Sequence, residues 1–222
     1  MCASYGLGGG DGRALPYDLP PMSDPANMAL LAQWATEWGG KANTTRSQKK
    51  GVNLNPVISV DEDGRRIDLA WWWLHVGGAP AKFTAFNSRD DALVTKWRKP
   101  FQHRAIIPAD WYFEGKKRWA LPDGALFGIA AILAPRSLED GGSGLSYSMV
   151  TRHGVGEAST VVSSRGESRM PLVLPREMHD TWLDPQRPGD ADLVAEALVA
   201  SEEISYAMTT GEAEPGLHAT LF

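Results

Sequence analysis

Hydrophobic residues recur at helical spacing in one N-terminal stretch of the chain, "SDPANMALLAQWATEWGG". Residues three or four positions apart lie on one face of a helix, and the apolar stripe at that spacing consists of Leu31, Trp34, Ala35 and Trp38. Ser23 suits the N-cap, Pro25 suits the first turn, and Gly39 or Gly40 suits the end of the helix. The pattern predicts a helix whose stripe faces the core.

Most other apolar residues lie in short runs bounded by turn residues, a pattern typical of β-strands. "NPVISVDEDGRRIDLAWWWL" predicts two strands with a turn at Asp63-Gly64, and "RWALPDGALFGIAAILA" predicts a second hairpin with its turn at Asp123-Gly124. Shorter strands are predicted in "HRAIIPADWYFEG", "LSYSMVTR" and "MPLVLP". The Gly-rich stretch "PRSLEDGGSG" indicates a flexible surface connection between strands.

The C-terminal part of the chain changes to helical patterning. "REMHDTWL" and "GDADLVAEALVASEE" predict helices, and "ISYAMTT" predicts a last strand. Many short strands with a few peripheral helices favour an α+β fold with a curled, mostly antiparallel, barrel-like sheet. Because no internal repeat or linker divides the chain, we expect a single domain.

Composition limits the class of protein. The chain has 222 residues, 43% of them hydrophobic, which is enough for a sizeable core. Its single cysteine excludes an intramolecular disulfide and favours a reducing compartment. A signal-peptide pattern is absent from the N-terminus, and the longest apolar run, "ALFGIAAILA", is too short to span a bilayer. We expect a soluble, cytoplasmic protein.

Charge and motif content exclude several functions. A net charge of −5 argues against a general nucleic-acid coat but allows a local basic groove. The five histidines have no metal-ligand spacing, and the serine-hydrolase elbow and the P-loop are absent. The dipeptide His179-Asp180 is interpreted as a pair on a helix surface. No metal or other cofactor is expected.

Cys2 is the remaining candidate for chemistry. Cysteines used for packing normally lie inside strands or helices, whereas position 2 of a chain is usually exposed. If Met1 is removed, Cys2 carries a free α-amine and a thiol on adjacent carbons. That pair of nucleophiles makes Cys2 a candidate reactive group.

Four dense segments follow the N-terminal Met-Cys: "AWWWL", "FNSRDD", "RAIIPADWYFEGKK" and "SRGESRMPLVLP". In this order they resemble the pattern of the SOS response-associated peptidase (SRAP) family, the abasic-site processing proteins. That pattern runs M-C-G-R, W-G-L-I-P, N-A-R-S-E, R-R-C-L-I-P-A-D-G-F-Y-E-W and H-D-R-M-P-x-I-L. The resemblance covers residues 2–183 and implies one SRAP-like domain over residues 1–222, with a C-terminal helix and strand in residues 184–222.

The resemblance implies a reaction at the N-terminus. The α-amine of Cys2 would condense with the aldehyde of an abasic site in single-stranded DNA, and the thiol would then close a thiazolidine. The product is a covalent DNA–protein crosslink that shields the lesion. The peptidase label concerns removal of the residue before the cysteine. The resemblance further implies a cofactor-free monomer in the bacterial cytoplasm, associated with the nucleoid.

The family pattern also assigns site residues by position. Cys2 matches the nucleophile, Asn87 an amide that orients the cysteine and the sugar, and Glu114 a proton shuttle. Arg89 matches a phosphate contact, and Trp72 matches a residue lining the DNA channel. Further basic candidates for DNA contact are Lys49, Lys50, Lys96, Arg98, Lys116, Lys117, Arg118, Arg165 and Arg169.

Glu167 stands where the family pattern has an acid–base histidine, which leaves three alternatives. The site works with the carboxylates of Glu167 and Glu114, or His153 or His75 approaches from another strand, or crosslinks form but reverse slowly. Two other functions also stay open. One is an N-terminal-nucleophile cysteine peptidase, and the other is a protein that binds single-stranded DNA without covalent chemistry.

Overall fold

The computed structural model describes residues 2–8, 15–44, 54–163 and 166–211. The predicted DNA contacts at Lys49, Lys50 and Arg165 lie outside these residues. Strands predominate over helices in the described part of the chain, and their pairings are antiparallel except those of one strand with two neighbours. The predicted α+β class with a mostly antiparallel, barrel-like core is confirmed.

The secondary-structure elements have the following bounds. The strands are β1 (Ser4–Gly6), β2 (Lys41–Asn43), β3 (Leu54–Asp61), β4 (Gly64–Trp72), β5 (His75–Val76), β6 (Ala79–Pro80), β7 (Asn87–Arg89), β8 (Arg104–Ala109), β9 (Trp111–Glu114), β10 (Lys117–Ala120), β11 (Phe127–Ser137), β12 (Ser143–His153), β13 (Arg169–Pro171), β14 (Val173–Leu174) and β15 (Thr209–Gly211). The α-helices are α1 (Pro25–Trp38), α2 (His179–Leu183), α3 (Ala191–Ala200) and α4 (Glu202–Tyr206).

Five long strands close into a barrel. β3 pairs with β4 and β8, β11 pairs with β8 and β12, and the parallel pairing of β12 with β4 completes the ring. The predicted β3–β4 hairpin is confirmed, with Gly64 in the turn at a φ of 113°. Residues 127–134 of β11 are buried throughout, which explains why "ALFGIAAILA" reads as one continuous apolar run.

A second sheet, in the order β15-β10-β9-β1-β2, lies beside the barrel. Its β9–β10 hairpin turns through Gly115 and Lys116, which have positive φ angles of 60° and 64°. A two-residue turn that matches the twist of the hairpin strands requires a positive φ at both of its residues. At the centre of the sheet, β1 pairs with both β2 and β9, so the N-terminal strand is held on two sides.

The predicted hairpin "RWALPDGALFGIAAILA" is wrong. Its two halves belong to different sheets, because β10 pairs with β9 and β15 whereas β11 joins the barrel. A turn does form before Gly124, whose N–H donates to Leu121 O at 2.9 Å, but it separates the sheets. The supposed surface connection "PRSLEDGGSG" instead extends both strands of the β11–β12 hairpin, which stay paired out to Ser137 and Ser143.

The helices follow the predicted patterns with shifted ends. Asp24, not Ser23, is the N-cap of α1, and Gly39 ends the helix in the left-handed conformation. Of the predicted stripe, Leu31 and Trp34 are buried, while Ala35 and Trp38 are half-buried. In the C-terminal part, Asp190 caps α3 by accepting from Leu193 N.

The C-terminal strand prediction holds only for its last residues. Residues 204–206 of "ISYAMTT" end α4, and Thr209–Gly211 pairs with β10 as β15. Within the described ranges, none of the helices has the length and apolar character needed to cross a membrane.

A buried arginine ties the C-terminal segment to the barrel. The side chain of Arg104, at the start of β8, donates to four backbone carbonyls, those of Phe101, Trp182, Asp184 and Arg187, at 2.6 to 2.9 Å. Backbone carbonyls left without donors in a buried position would be costly. The guanidinium therefore fixes the loop after α2 against the start of strand β8.

Candidate active site

Cys2 lies two residues before the start of β1, where the second sheet meets the barrel. Its residue exposure is 1%, so the expectation of an exposed position 2 is wrong. The thiol donates to Ser4 O at 3.3 Å and has a further backbone hydrogen bond with Phe113 of β9. The pairing of β1 with β2 and β9 explains this burial, because the strand carries the N-terminal residues inward.

Asn87 holds the backbone of Cys2. Its side-chain Nδ2 donates to Cys2 O at 2.7 Å. Asn87 begins β7, which pairs in parallel with the barrel strand β12 opposite Met149. The amide therefore links the N-terminal segment to the barrel, and its geometry fits the orienting role that the sequence predicts.

Glu114 contributes a half-buried carboxyl at the end of β9. Burial raises the pKa of this carboxyl above its ordinary value. Burial also raises the pKa of the Cys2 thiol to about 12, and the charge of Glu114 raises it further. The thiol is thus protonated at neutral pH, and the carboxyl within its electrostatic reach titrates closer to neutrality than an exposed glutamate.

Three buried tyrosines surround Cys2, and sequence reasoning missed them. The hydroxyls of Tyr5 and Tyr147 share a hydrogen bond of 2.5 Å, and Tyr112 lies directly opposite Tyr5 in the β1–β9 register. Burial, together with the neighbouring Cys2, raises the pKa of all three phenols, so they stay protonated. Alternation in Ser4-Tyr5-Gly6-Leu7 is a signal that would have placed Tyr5 inside, whereas the three consecutive aromatic residues of β9 give no such signal for Tyr112.

Trp72 is a core residue, which corrects the expectation that it lines the DNA channel. Its exposure is 0%, and its indole N–H donates to Phe86 O at 2.8 Å. The ring stacks on Tyr147 at a centroid distance of 6.1 Å and lies 4.9 Å from Tyr5. Trp72 therefore supports the tyrosines beside Cys2 and offers no surface to DNA.

Glu167 binds Arg89. Glu167 Oε2 accepts from Arg89 Nη1 at 2.8 Å, and Asp91 accepts from the other side of the same guanidinium at 2.7 and 3.0 Å. All three side chains are about half exposed. Glu167, which stands in the position of the family histidine, thus binds Arg89, the predicted phosphate contact.

The other predicted DNA contacts divide by exposure. The side chain of Arg169 is only 9% exposed, and it pairs with Asp90 at 2.7 Å, which corrects its assignment to DNA contact. Lys116 is exposed in the β9–β10 turn. Lys117 is also exposed and pairs with Glu157 at 3.2 Å.

The histidines considered from the sequence have other surroundings. His75 is buried against Trp71, and its Nδ1 lies 2.8 Å from Trp73 O. His153 is exposed at the end of β12, 3.4 Å from Ser168 Oγ. His179 is buried, which corrects its interpretation as half of a surface pair. Across the described ranges, no cluster of three His, Cys, Asp or Glu side chains has the arrangement of a metal site.

The fold and the site together define a class of protein. In this class, a closed barrel and an adjoining sheet bury an N-terminal cysteine beside an amide and a carboxyl. The chain belongs to the SOS response associated peptidase (SRAP) family, whose model matches residues 25–210. Membership supports a function associated with DNA damage. The family name is also compatible with enzymatic activity.

Solved structures share the fold. A Bordetella bronchiseptica protein is similar with a TM-score of 0.61 and 17% identity, covering 96% of this chain and 100% of its own. A phage-related protein from the same organism gives 0.55 and 17%, covering 72% of this chain and 79% of its own. A Bacteroides thetaiotaomicron protein gives 0.51 and 22%, covering 64% and 67%. A search of curated proteins finds no match.

Proposed function

We propose that this protein forms a covalent thiazolidine crosslink through Cys2 at abasic sites in single-stranded DNA, after removal of Met1. The observation that carries the proposal is the convergence on Cys2 of an amide and a carboxyl from distant strands. Asn87 Nδ2 donates to Cys2 O at 2.7 Å, and Glu114 directly follows Phe113, whose backbone binds the Cys2 thiol.

The first step is imine formation. The neutral α-amine of Cys2 attacks the aldehyde carbon of the ring-opened abasic sugar, and the carbonyl oxygen leaves as water. An α-amine has a pKa near ~7.7–8.0, so a useful fraction is neutral at cellular pH. Asn87 supports this step because its hydrogen bond to Cys2 O fixes the direction in which the nitrogen faces.

The second step is ring closure. The Cys2 sulfur adds to the imine carbon, and the imine nitrogen gains a proton as the sulfur loses one, so the pair of steps needs no oxidant or reductant. The buried thiol is protonated and therefore requires a base. Glu114 supports the role of carrying that proton, because burial raises the pKa of its carboxyl towards the working range of a general acid–base.

Contact with DNA would rest on a local surface. Arg89 lies two residues after Asn87 on β7, which places a guanidinium near the buried site. Phe83 is 46% exposed, and Lys96 Nζ lies 4.2 Å from its ring centroid. An exposed ring with a cation above it suits stacking on an unpaired base, worth on the order of 1–3 kcal/mol.

A gel assay on processed protein tests the proposal. Intact mass first shows whether Met1 is absent, and the protein is then mixed with a single-stranded oligonucleotide bearing one abasic site. The wild type should give a band that survives denaturation without a reducing agent. Cys2→Ala, which keeps the amine but lacks the thiol, should give a lasting band only after borohydride reduction of its imine.

The same assay separates the two other functions. A processed wild type that binds the oligonucleotide without any covalent band would contradict the proposal and identify a non-covalent binder. Cleavage of a peptide panel that depends on Cys2, with no covalent DNA band, would identify a cysteine peptidase instead.

A further inference from the structure

The ring of Tyr112 is fixed in place beside the proposed reaction centre. It stacks on Trp119 of β10 at a centroid distance of 6.1 Å and an interplanar angle of 6°. Phe127 of β11 meets it edge-on at 6.4 Å and 88°. Aromatic contacts on two sides leave the phenol ring little freedom, so the direction of its hydroxyl is set by the fold.

The hydroxyl of Tyr112 is buried and has no hydrogen-bond partner among the residues that the structure describes. Tyr5 and Tyr147 differ in this respect, because their hydroxyls bind each other. Leaving a buried hydroxyl unsatisfied costs stability, whereas a phenylalanine would fill the same space without that cost. The unsatisfied Tyr112 hydroxyl therefore indicates a hydrogen-bond partner on a molecule that binds at this site.

A second unsatisfied atom lies in the same site. Asn87 Oδ1 is buried and accepts no hydrogen bond within the described ranges, although Asn87 Nδ2 is bound to Cys2 O. The site thus holds an unused donor, Tyr112 Oη–H, and an unused acceptor, Asn87 Oδ1. One donor with one acceptor is the complement of a hydroxyl, which both accepts and donates.

The substrate supplies one such hydroxyl. When the abasic deoxyribose opens to its aldehyde, the ring oxygen becomes a free hydroxyl on C4′, while the C3′ and C5′ oxygens stay esterified to phosphate. The aldehyde must come within bonding distance of the Cys2 nitrogen, so the sugar has to enter the space around Cys2. Tyr112 lies beside that space, since it is opposite Tyr5 in the β1–β9 register and its neighbour Phe113 binds the Cys2 thiol through the backbone.

We propose that the Tyr112 hydroxyl donates a hydrogen bond to the C4′ hydroxyl of the ring-opened abasic sugar, with Asn87 Oδ1 as the matching acceptor. Tyr112 is then a substrate-binding residue that recognises the opened sugar. This inference rests on the proposed function. It extends that function by making the site selective for an aldehyde chain that carries the C4′ hydroxyl over a plain alkyl aldehyde.

The test compares two aldehydes and two tyrosine variants. One single-stranded oligonucleotide carries an abasic deoxyribose, and the other carries its aldehyde on an unbranched alkyl linker without a hydroxyl. Tyr112→Phe removes only the unsatisfied oxygen. Tyr206→Phe makes the same change at a tyrosine that is 59% exposed and serves as the control.

Tyr112→Phe should slow crosslinking of the abasic oligonucleotide by about fivefold to tenfold, the effect of one hydrogen bond, and leave the alkyl aldehyde rate within about twofold. Its melting temperature should equal or exceed that of the wild type. Tyr206→Phe should match the wild type on both probes. Equal rates of wild type and Tyr112→Phe on the abasic probe, or an equal loss on both probes, would overturn this inference while leaving the proposed function standing. A wild type that crosslinks neither probe would overturn both.

Discussion

The side-chain amide of Asn87 donates a hydrogen bond to the carbonyl oxygen of Cys2 across 85 positions of sequence, at 2.7 Å. This contact joins the N-terminal segment to the barrel through β7. It also fixes the peptide group of the residue whose amine and thiol are the proposed nucleophiles. Its loss should therefore affect both stability and reaction rate.

Asn87→Ala should slow crosslink formation on the order of tenfold and lower the free energy of unfolding by about 1–3 kcal/mol, because Cys2 O loses its donor in a buried position. Crosslinking rates and urea denaturation measure the two effects. Ser88→Ala is the control, since it removes a neighbouring buried hydrogen bond, Ser88 Oγ to Ser148 Oγ. Slowing by Ser88→Ala as large as that by Asn87→Ala would show that Asn87 acts only through the fold.

Glu114→Gln should slow crosslinking on the order of a hundredfold, the usual effect of losing a general acid–base. A carboxylate takes a proton only when ionised, so the wild-type rate should fall as pH drops through the pKa of Glu114. Because burial raises the pKa of Glu114, this fall in rate should begin at a higher pH than the pKa of an ordinary glutamate. In rates measured between about pH 8 and 4, protonation of the Cys2 α-amine lowers the rate of both proteins, so the expected result is a steeper fall in the wild type than in Glu114→Gln below the pKa of Glu114.

The same substitution has a consequence for stability, with a defined sign. A carboxyl whose pKa is raised by folding binds its proton more tightly in the folded state. Its stabilising contribution is present below the unfolded pKa and is lost as pH rises through the folded pKa. The unfolding free energy of the wild type should therefore fall relative to that of Glu114→Gln over this interval. A constant difference across pH would contradict the raised pKa.

Glu167→Gln should tighten binding to undamaged single-stranded DNA by about threefold, because the carboxylate competes with phosphate for the Arg89 guanidinium. Fluorescence anisotropy measures the dissociation constant. Glu177→Gln removes the same charge from the turn before α2 and is the matched control. Equal tightening by both variants would mean that net charge, not release of Arg89, governs binding.

Arg104→Met should lower the free energy of unfolding by about 3 kcal/mol, since two buried and two partly buried carbonyls lose a shared donor. Urea unfolding is the measurement. Arg176→Met is the control: this arginine is 57% exposed and pairs with Asp18, so its loss should cost at most about 1 kcal/mol. Similar losses in the two variants would argue against a special role for Arg104.

Local signals were sufficient for several elements. The helix α1 and the β3–β4 hairpin follow from apolar spacing and from glycines at their ends, which are properties of short stretches. The hairpin predicted between β10 and β11 failed because each strand pairs with a distant one. A turn residue determines where the chain reverses, and the choice of partner depends on burial across the whole sheet.

Local signals likewise indicated some features of the candidate site and not others. Ordered motifs indicated Cys2, Asn87 and Glu114, and the structure brings these three together. Motifs did not indicate which side chains are buried, so Trp72 and Arg169 were expected on the DNA surface. Burial of those two depends on neighbours such as Tyr147 and Asp90, which come from other parts of the chain.

The sequence by itself determined the family, the α+β class and the residue types at the candidate site, because these are carried by ordered motifs and local periodicity. Only the tertiary structure decided that Cys2 is buried and that Glu167 binds Arg89. It also decided that the Tyr112 hydroxyl lacks a described partner. Burial and hydrogen bonding belong to pairs of groups far apart in the chain, and packing of the barrel against the second sheet is what brings those groups together.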